Sequence, residues 1–314
     1  MVVYALRRLV QTLPVLFLSS ILVFGLVRFI PGDPAMLIAG PDALPEQIVA
    51  ARARLGLDKP IYVQYAIWLA QVVRGDLGVS ILNGYPVFDL IARKFLATLQ
   101  LTAGGLLVAL CISLPLGILA SVRRGGWFER LTSLVVALGQ AIPTFWLGIL
   151  LVLVFSLQLK WLPPSGQVAF SEKPGLALRL MILPSVTLGF YSATVLTRFL
   201  KSSMLEVMEM DYVRTARAKG LADTGILTRH VLKNALIPVV TILGLQLGAF
   251  LGGAVVTESI FDWPGLGRLM LQAIGTRDYP VLQGTVLFVV VTFVCVTLIT
   301  DLTYGYLDPR IRYQ

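Results

Sequence analysis

Side chains able to do covalent or metal chemistry are few in this sequence and poorly spaced for it. The single histidine, His230, lies between Arg229 and Lys233 in a basic stretch. Cys111 and Cys295 each sit inside an apolar run with no Cys-x-x-Cys or Cys/His spacing, so a packing role is expected for both. A Gly-x4-Gly-Lys-Ser/Thr phosphate loop is absent, which removes that route to ATP hydrolysis. Ionisable residues are sparse within the apolar stretches, and Arg198 and Asp301 fall near stretch ends. A proton relay or voltage sensor is therefore not indicated. Catalytic residues, cofactor and metal are all expected to be none. What remains are residues whose spacing suits contact rather than reaction: a polar run from Asp211 to Leu221, and Gly244, Gly248 and Gly252 at four-residue intervals.

The elements that must position these residues are membrane spans. Of the 314 residues, 57% are hydrophobic and only 14% charged, with mean hydropathy +0.83. A soluble domain carries about a quarter charged residues, so this chain has too little polar surface to cover itself in water. The net charge of +9 fits a membrane surface or nucleic acid, and hydrophobicity on this scale selects the membrane. A bilayer core of about 30 Å takes about 20 apolar residues to cross as a helix. Stretches of that kind divide the chain into a transmembrane anchor over 1–30, an extracytoplasmic segment over 31–95, and five further spans within 96–304. Those spans fall at about 99–122, 131–159, 178–200, 235–256 and 281–304, leaving 305–314 as a tail. Arg7 and Arg8 precede the first stretch as in a signal peptide, but its length and the lack of a small-residue cleavage site favour a retained anchor.

With six spans, one side collects 14 basic and 7 acidic residues against 12 and 10 on the other. Many basic residues on the second side lie in the long 31–95 segment, where charge is a weak topological signal. The excess of Lys and Arg near spans marks the cytoplasmic face and places both termini there. Within 31–95, helix-like pieces are expected at Pro45–Leu55, bounded by Gly56, and at Ile61–Arg74. The latter has Tyr65, Trp68, Leu69 and Val72 on one face and suits either an interfacial helix or a cap packed on the spans.

The cytoplasmic run Asp211-Tyr-Val-Arg-Thr-Ala-Arg-Ala-Lys-Gly220 has good helix formers and ends at a glycine suited to positive φ. A second helical stretch from about Thr224 leads to the fifth span, with Pro238 in its first turns. Ala216 and Gly220, one turn apart, leave a compact knob able to dock on a cytoplasmic partner; an ordinary basic loop is the plainer alternative. In the fifth span, Gly244, Gly248 and Gly252 make a flat stripe, for packing within the chain or against a partner across a pathway. Gln246 and Glu258, in or near the same span, are expected to face protein or water rather than lipid. The segment Glu258–Asp278 reads as a turn followed by a short helix.

The cytoplasmic run resembles the loop of bacterial ABC importer permeases that carries a Glu-Ala-Ala-x-x-x-Gly pattern. Ala216 and Gly220 match it, while Arg214 and Thr215 stand where the generic pattern has Glu and the first Ala. That variant, with Arg229-His-Val-Leu-Lys-Asn-Ala-Leu-Ile-Pro238, is similar to the dipeptide/oligopeptide/nickel branch. So are Pro31-Gly-Asp-Pro34, Leu55-Gly-Leu-Asp58, Gly75-Asp-Leu-Gly78, Trp263-Pro-Gly-Leu-Gly267, Arg277-Asp-Tyr-Pro280 and Asp308-Pro-Arg-Ile-Arg-Tyr313, in this order along nearly the whole chain. The resemblance implies an all-α, six-span permease of ABC importer type I that forms half of a pathway for short peptides. It further implies a homologous second permease, two ATP-binding subunits that hydrolyse ATP, an extracytoplasmic solute-binding protein, and no nucleic acid. The coupling segment to the ATPase would comprise Asp211, Arg214, Thr215, Ala216, Arg217, Gly220 and Leu221, and Pro31–Pro41 is similar to the glutathione-type importers. Nickel or another small solute is the alternative cargo, and a stand-alone carrier or channel the alternative from another class.

Overall fold

The computed structural model describes residues 2–26, 28, 34–40, 43–54 and 56–307. Most of Pro31-Gly-Asp-Pro34, Leu55, and the terminal string from Asp308 lie outside them. In chain order the helices are α1 (Val2–Leu26), α2 (Pro34–Ala39), α3 (Pro45–Arg54), α4 (Ile61–Val73), α5 (Val87–Val122) and α6 (Trp127–Ala141). They continue with α7 (Thr144–Leu151), α8 (Pro174–Met208), α9 (Asp211–Ala218), the single turn α10 (Asp223–Gly225), α11 (Lys233–Ile260), α12 (Leu266–Thr276) and α13 (Tyr279–Leu307). Two π-helical segments, Val152–Gln158 and Ile226–Leu232, run on from α7 and α10. The described residues contain no β-strand beyond a single bridge between Val79 and Pro86.

Among the described residues, five helices are long and apolar enough to cross a membrane, and a sixth span exists if a bent pair counts as one. The pair is the expected 131–159 stretch, which forms two helices, Trp127–Ala141 and Thr144–Gln158, inclined at 104°. Ile142 is extended (φ −76°, ψ 122°) ahead of Pro143, the conformation forced on a residue whose backbone meets the proline ring. Pro143 has no N–H to continue the ladder and instead precedes the first turn of α7.

The chain divides into two compact units. One contains Leu99–Trp263 and the two chain ends, and is organised around α8. Two thirds of the apolar window of α8 is buried, against 17% for α1. Lipid tails are as apolar as leucine, so close backbone approach rather than water exclusion must hold such helices together. The glycines show where this happens. A Cβ on Gly117 of α5 would come within 2.9 Å of Leu200, and one on Gly189 of α8 would collide with the Gly105 carbonyl. On α6, a Cβ at Gly139 would collide with Thr194, and on α7 one at Gly148 would approach Thr187 at 3.1 Å. Both arms of the bent pair thus lean on α8.

The second unit contains Leu6–Thr98 and Pro264–Val294. Here α4 lies on α1: the Tyr65 hydroxyl and Ser20 Oγ are 2.8 Å apart, and the Phe24 ring packs edge-to-face with Tyr65 and tilted against Trp68, with centroids 5.2 and 5.5 Å apart. The aromatic face seen in the sequence is therefore turned to α1, as a packed cap requires, while Ile61, Tyr62 and Val73 remain exposed. Val87 and Ile91 of α5 form a core with Leu266, Leu269 and Ala273 of α12 and Val281 of α13. The Leu266 N–H, otherwise an orphan donor at a helix start, is taken by Thr98 Oγ1 at 2.8 Å.

Candidate functional site

The run from Asp211 forms α9 with Met210 extended before it, Asp211 in its first turn and Arg217 in its last, each favourable for the helix dipole. Val213 and Ala216, three residues apart, are buried, while Asp211, Arg214, Thr215 and Arg217 are exposed. Ala216 thus seats the helix on the body of the unit; the outward surface is Arg214 and Thr215, with Gly220 and Leu221 beyond the end. Two hydrogen bonds close that end. The Gly220 N–H donates to the Arg217 carbonyl (3.0 Å) and the Leu221 N–H to the Ala216 carbonyl (3.4 Å), with Gly220 at φ +79°. This is the Schellman termination, which needs a left-handed residue and therefore favours glycine. Arg217 reaches Asp223 at 3.5 Å, and Arg214 reaches Asp211 at 3.6 Å. Pairs this exposed add little stability, so apolar seating holds α9.

Beneath α9 lies a cleft of about 340 Å³ lined by Val122, Met208, Val213, Ile226, Leu227 and Val231. Tyr212 and Asn234 add a polar link that sequence reasoning missed. Asn234 Nδ2 donates to the Tyr212 hydroxyl (3.0 Å) and to the His230 carbonyl (2.7 Å). His230 lies in the π-helical turn that leads into α11, so a tyrosine on α9 is tied to the helix that follows. The available signal was Asn234 itself, a polar residue one turn after His230 where an apolar helix begins.

The residues singled out on α11 separate. A Cβ on Gly244 would run into the Thr300 side chain of α13, so this glycine serves packing within the chain. Gly248 is also buried, whereas Gly252 is exposed with nothing near its missing Cβ. Gln246 donates from Nε2 to Ser192 Oγ of α8 at 2.9 Å, an interhelical bond that orients it inward. Glu258 is fully buried, and its carbonyl accepts the Trp263 N–H at 2.8 Å in the turn ending α11. Because α11 rises about 1.5 Å per residue over its 28 residues, Glu258 lies at the end remote from α9. No single site gathers all these residues.

In the second unit, two of the short strings prove to be one structure. Asp278 is 4% exposed and accepts the hydroxyl of Ser80, the N–H of Ile81 (3.2 Å) and that of Leu82 (3.4 Å). A Cβ on Gly78 would touch Pro280 at 3.7 Å. Gly75–Gly78 and Arg277–Pro280 therefore bracket a buried carboxylate that pins a loop.

The model of the binding-protein-dependent transport system inner membrane component matches residues 113–313, and that of the N-terminal membrane component of the same systems matches 1–102. The chain belongs to this family. The permease is 43% identical over 311 residues to the glutathione transport system permease protein GsiC of Escherichia coli (strain K12), covering 99% of each chain. The GsiC of Shigella flexneri serotype 5b (strain 8401) matches at the same identity and coverage. Among solved structures, the inward-facing MetNI methionine ABC transporter aligns with TM-score 0.58 at 20% identity, covering 70% of the permease and 96% of that chain. At this identity the likeness concerns the fold: an all-α permease of ABC importer type. The permease is thus a multi-pass inner-membrane component of a transport system that depends on a binding protein and an ATPase.

Proposed function

We propose that this permease forms half of the translocation pathway for short peptides, glutathione among them, and receives its energy through α9. A homologous second permease would complete the pathway, two ATP-binding subunits would dock below, and an extracytoplasmic binding protein would deliver the solute. Catalysis of ATP hydrolysis belongs to the separate subunits. The names of the full-length relatives, both glutathione permeases, support the cargo. Counting the bent pair as one crossing gives six, with both termini and α9 on the cytoplasmic face, in keeping with the basic excess there.

The observation that carries this reading is the presentation of α9: seated through Val213 and Ala216, closed at Gly220, and exposed through Arg214, Thr215 and Leu221. Its link through Tyr212 and Asn234 to the start of α11 gives a push on α9 a mechanical path into a span. Closure of the ATPase pair would bias α8 and α11 between inward- and outward-open states, which requires that α9 be contacted differently in each. The test is co-purification. Thr215→Trp and Leu221→Asp, both on the exposed surface, should each lower recovery of the ATP-binding subunits about tenfold at equal permease yield. Undiminished recovery in both, or solute flux by the purified permease alone in liposomes without ATP, would overturn the proposal.

A further inference from the structure

The surface of α6 has two characters. Trp127, Leu131, Leu134 and Leu138 recur at helical spacing and are all exposed, the pattern of a face meeting lipid. Roughly 120° around the helix, at 100° per residue, Ser133, Ala137 and Gln140 face a groove of about 300 Å³ whose other wall is Thr197, Arg198 and Lys201 of α8. This groove lies two to three turns before the end of α8, on the half of the helix nearer α9.

The groove carries unbalanced charge. Lys201 Nζ is 2.7 Å from Glu129 Oε1, but Arg198 has no carboxylate partner among the described residues. Its guanidinium meets only Gln140 Oε1, at 3.5 Å, and lies over the Phe199 ring, 5.6 Å from its centre. The hydroxyls of Thr132, Ser133 and Thr197 all donate back to their own helices, to the carbonyls of Phe128, Glu129 and Ala193. They face the groove as acceptors, leaving Arg198, Lys201 and the Gln140 Nε2 amide, which has no partner of its own among the described residues, as its donors. A guanidinium within a membrane helix is costly in lipid and belongs against water or a counter-charge, and its planar fork matches a carboxylate at two points. The volume is at the lower limit for a small-ligand site, enough for one end of a short peptide.

We infer that Arg198, steadied by Gln140 and backed by Lys201, binds the carboxylate of an anionic short peptide in transit; this rests on the peptide-importer reading above. A phospholipid phosphate offers the same oxyanion chemistry, but the leucine stripe of α6 points lipid elsewhere. The test uses the complete importer, with its binding protein and ATP-binding subunits, in proteoliposomes made with and without phosphatidylglycerol, and radiolabelled glutathione as probe. Arg198→Gln should lower uptake roughly tenfold in both lipid mixtures, with Arg198→Lys intermediate. Ser133→Asp, which sets a carboxylate in the groove, should suppress uptake similarly and covers the case in which Arg198→Gln fails to assemble. Uptake unchanged in Arg198→Gln and Ser133→Asp overturns the site alone. Loss confined to vesicles containing phosphatidylglycerol assigns the groove to lipid and likewise overturns it. An unaltered importer that takes up neither glutathione nor any other short peptide overturns the peptide reading, and the site falls with it.

Discussion

Two helices in this permease end in the same way and for opposite purposes. α9 closes with Gly220 in the left-handed region and bonds from Gly220 and Leu221 back to Arg217 and Ala216. α12 closes with the same pair of bonds, Arg277 to Ile274 and Asp278 to Ala273, but its left-handed residue is Arg277 at φ +56°. After Gly220 comes Leu221, 45% exposed; after Arg277 comes Asp278, buried and bonded to Ser80, Ile81 and Leu82. One termination presents the chain and the other locks it. An arginine in the left-handed region persists only where its surroundings over-determine the backbone, and the anchored Asp278 does so here.

The contrast can be broken at three points. Asp278→Ala should have the largest effect, because it strands the buried Ser80 hydroxyl and two part-buried N–H groups. A loss of about 3 kcal/mol is expected, read as a lowered Tm of the purified importer, with Asp278→Asn smaller. Gly220→Ala should cost about 1 kcal/mol for a Cβ in the left-handed region, with little change in Tm. Its signature would be functional, a fall in recovered ATP-binding subunits as Leu221 leaves its place. Arg277→Gly should act least and in the other direction, raising Tm by the equivalent of less than about 1 kcal/mol. The relieved strain is there partly offset by the entropy of glycine. If Arg277→Gly lowers Tm instead, the arginine side chain contributes more than its strained backbone costs, and the two terminations are less alike than their hydrogen bonds suggest.

Sequence reasoning reached the spans and both ends of α9, since hydropathy and a terminal glycine are local signals. It did not reach the 104° bend, because 131–159 is apolar enough on average for one span despite Gln140 and Thr144, and a proline in a span can as well kink as break it. Nor could it orient Ala216. A small residue one turn from Gly220 is plain to see, but whether it faces out or in depends on Met208 and Ile226, which other elements bring to the cleft. The strings Gly75–Gly78 and Arg277–Pro280 were visible separately. That they are one structure follows from a contact between residues about 200 positions apart, which no local pattern encodes. Arg198 was visible too, but its meaning depends on the neighbouring face of α6.

The bend at Pro143 has a consequence for how the chain is built. Each arm has 15 residues, about 22 Å of helix, and a hydrocarbon core is about 30 Å thick. Neither arm can bridge the bilayer as a straight segment, and lipid can supply no partner for helix-end carbonyls that a break leaves without an intrahelical donor. During synthesis the pair emerges before α8, the helix against which Gly139 and Gly148 later close. Residues 127–158 are therefore a dependent passenger in membrane insertion: their final place is secured only after the next helix has been made.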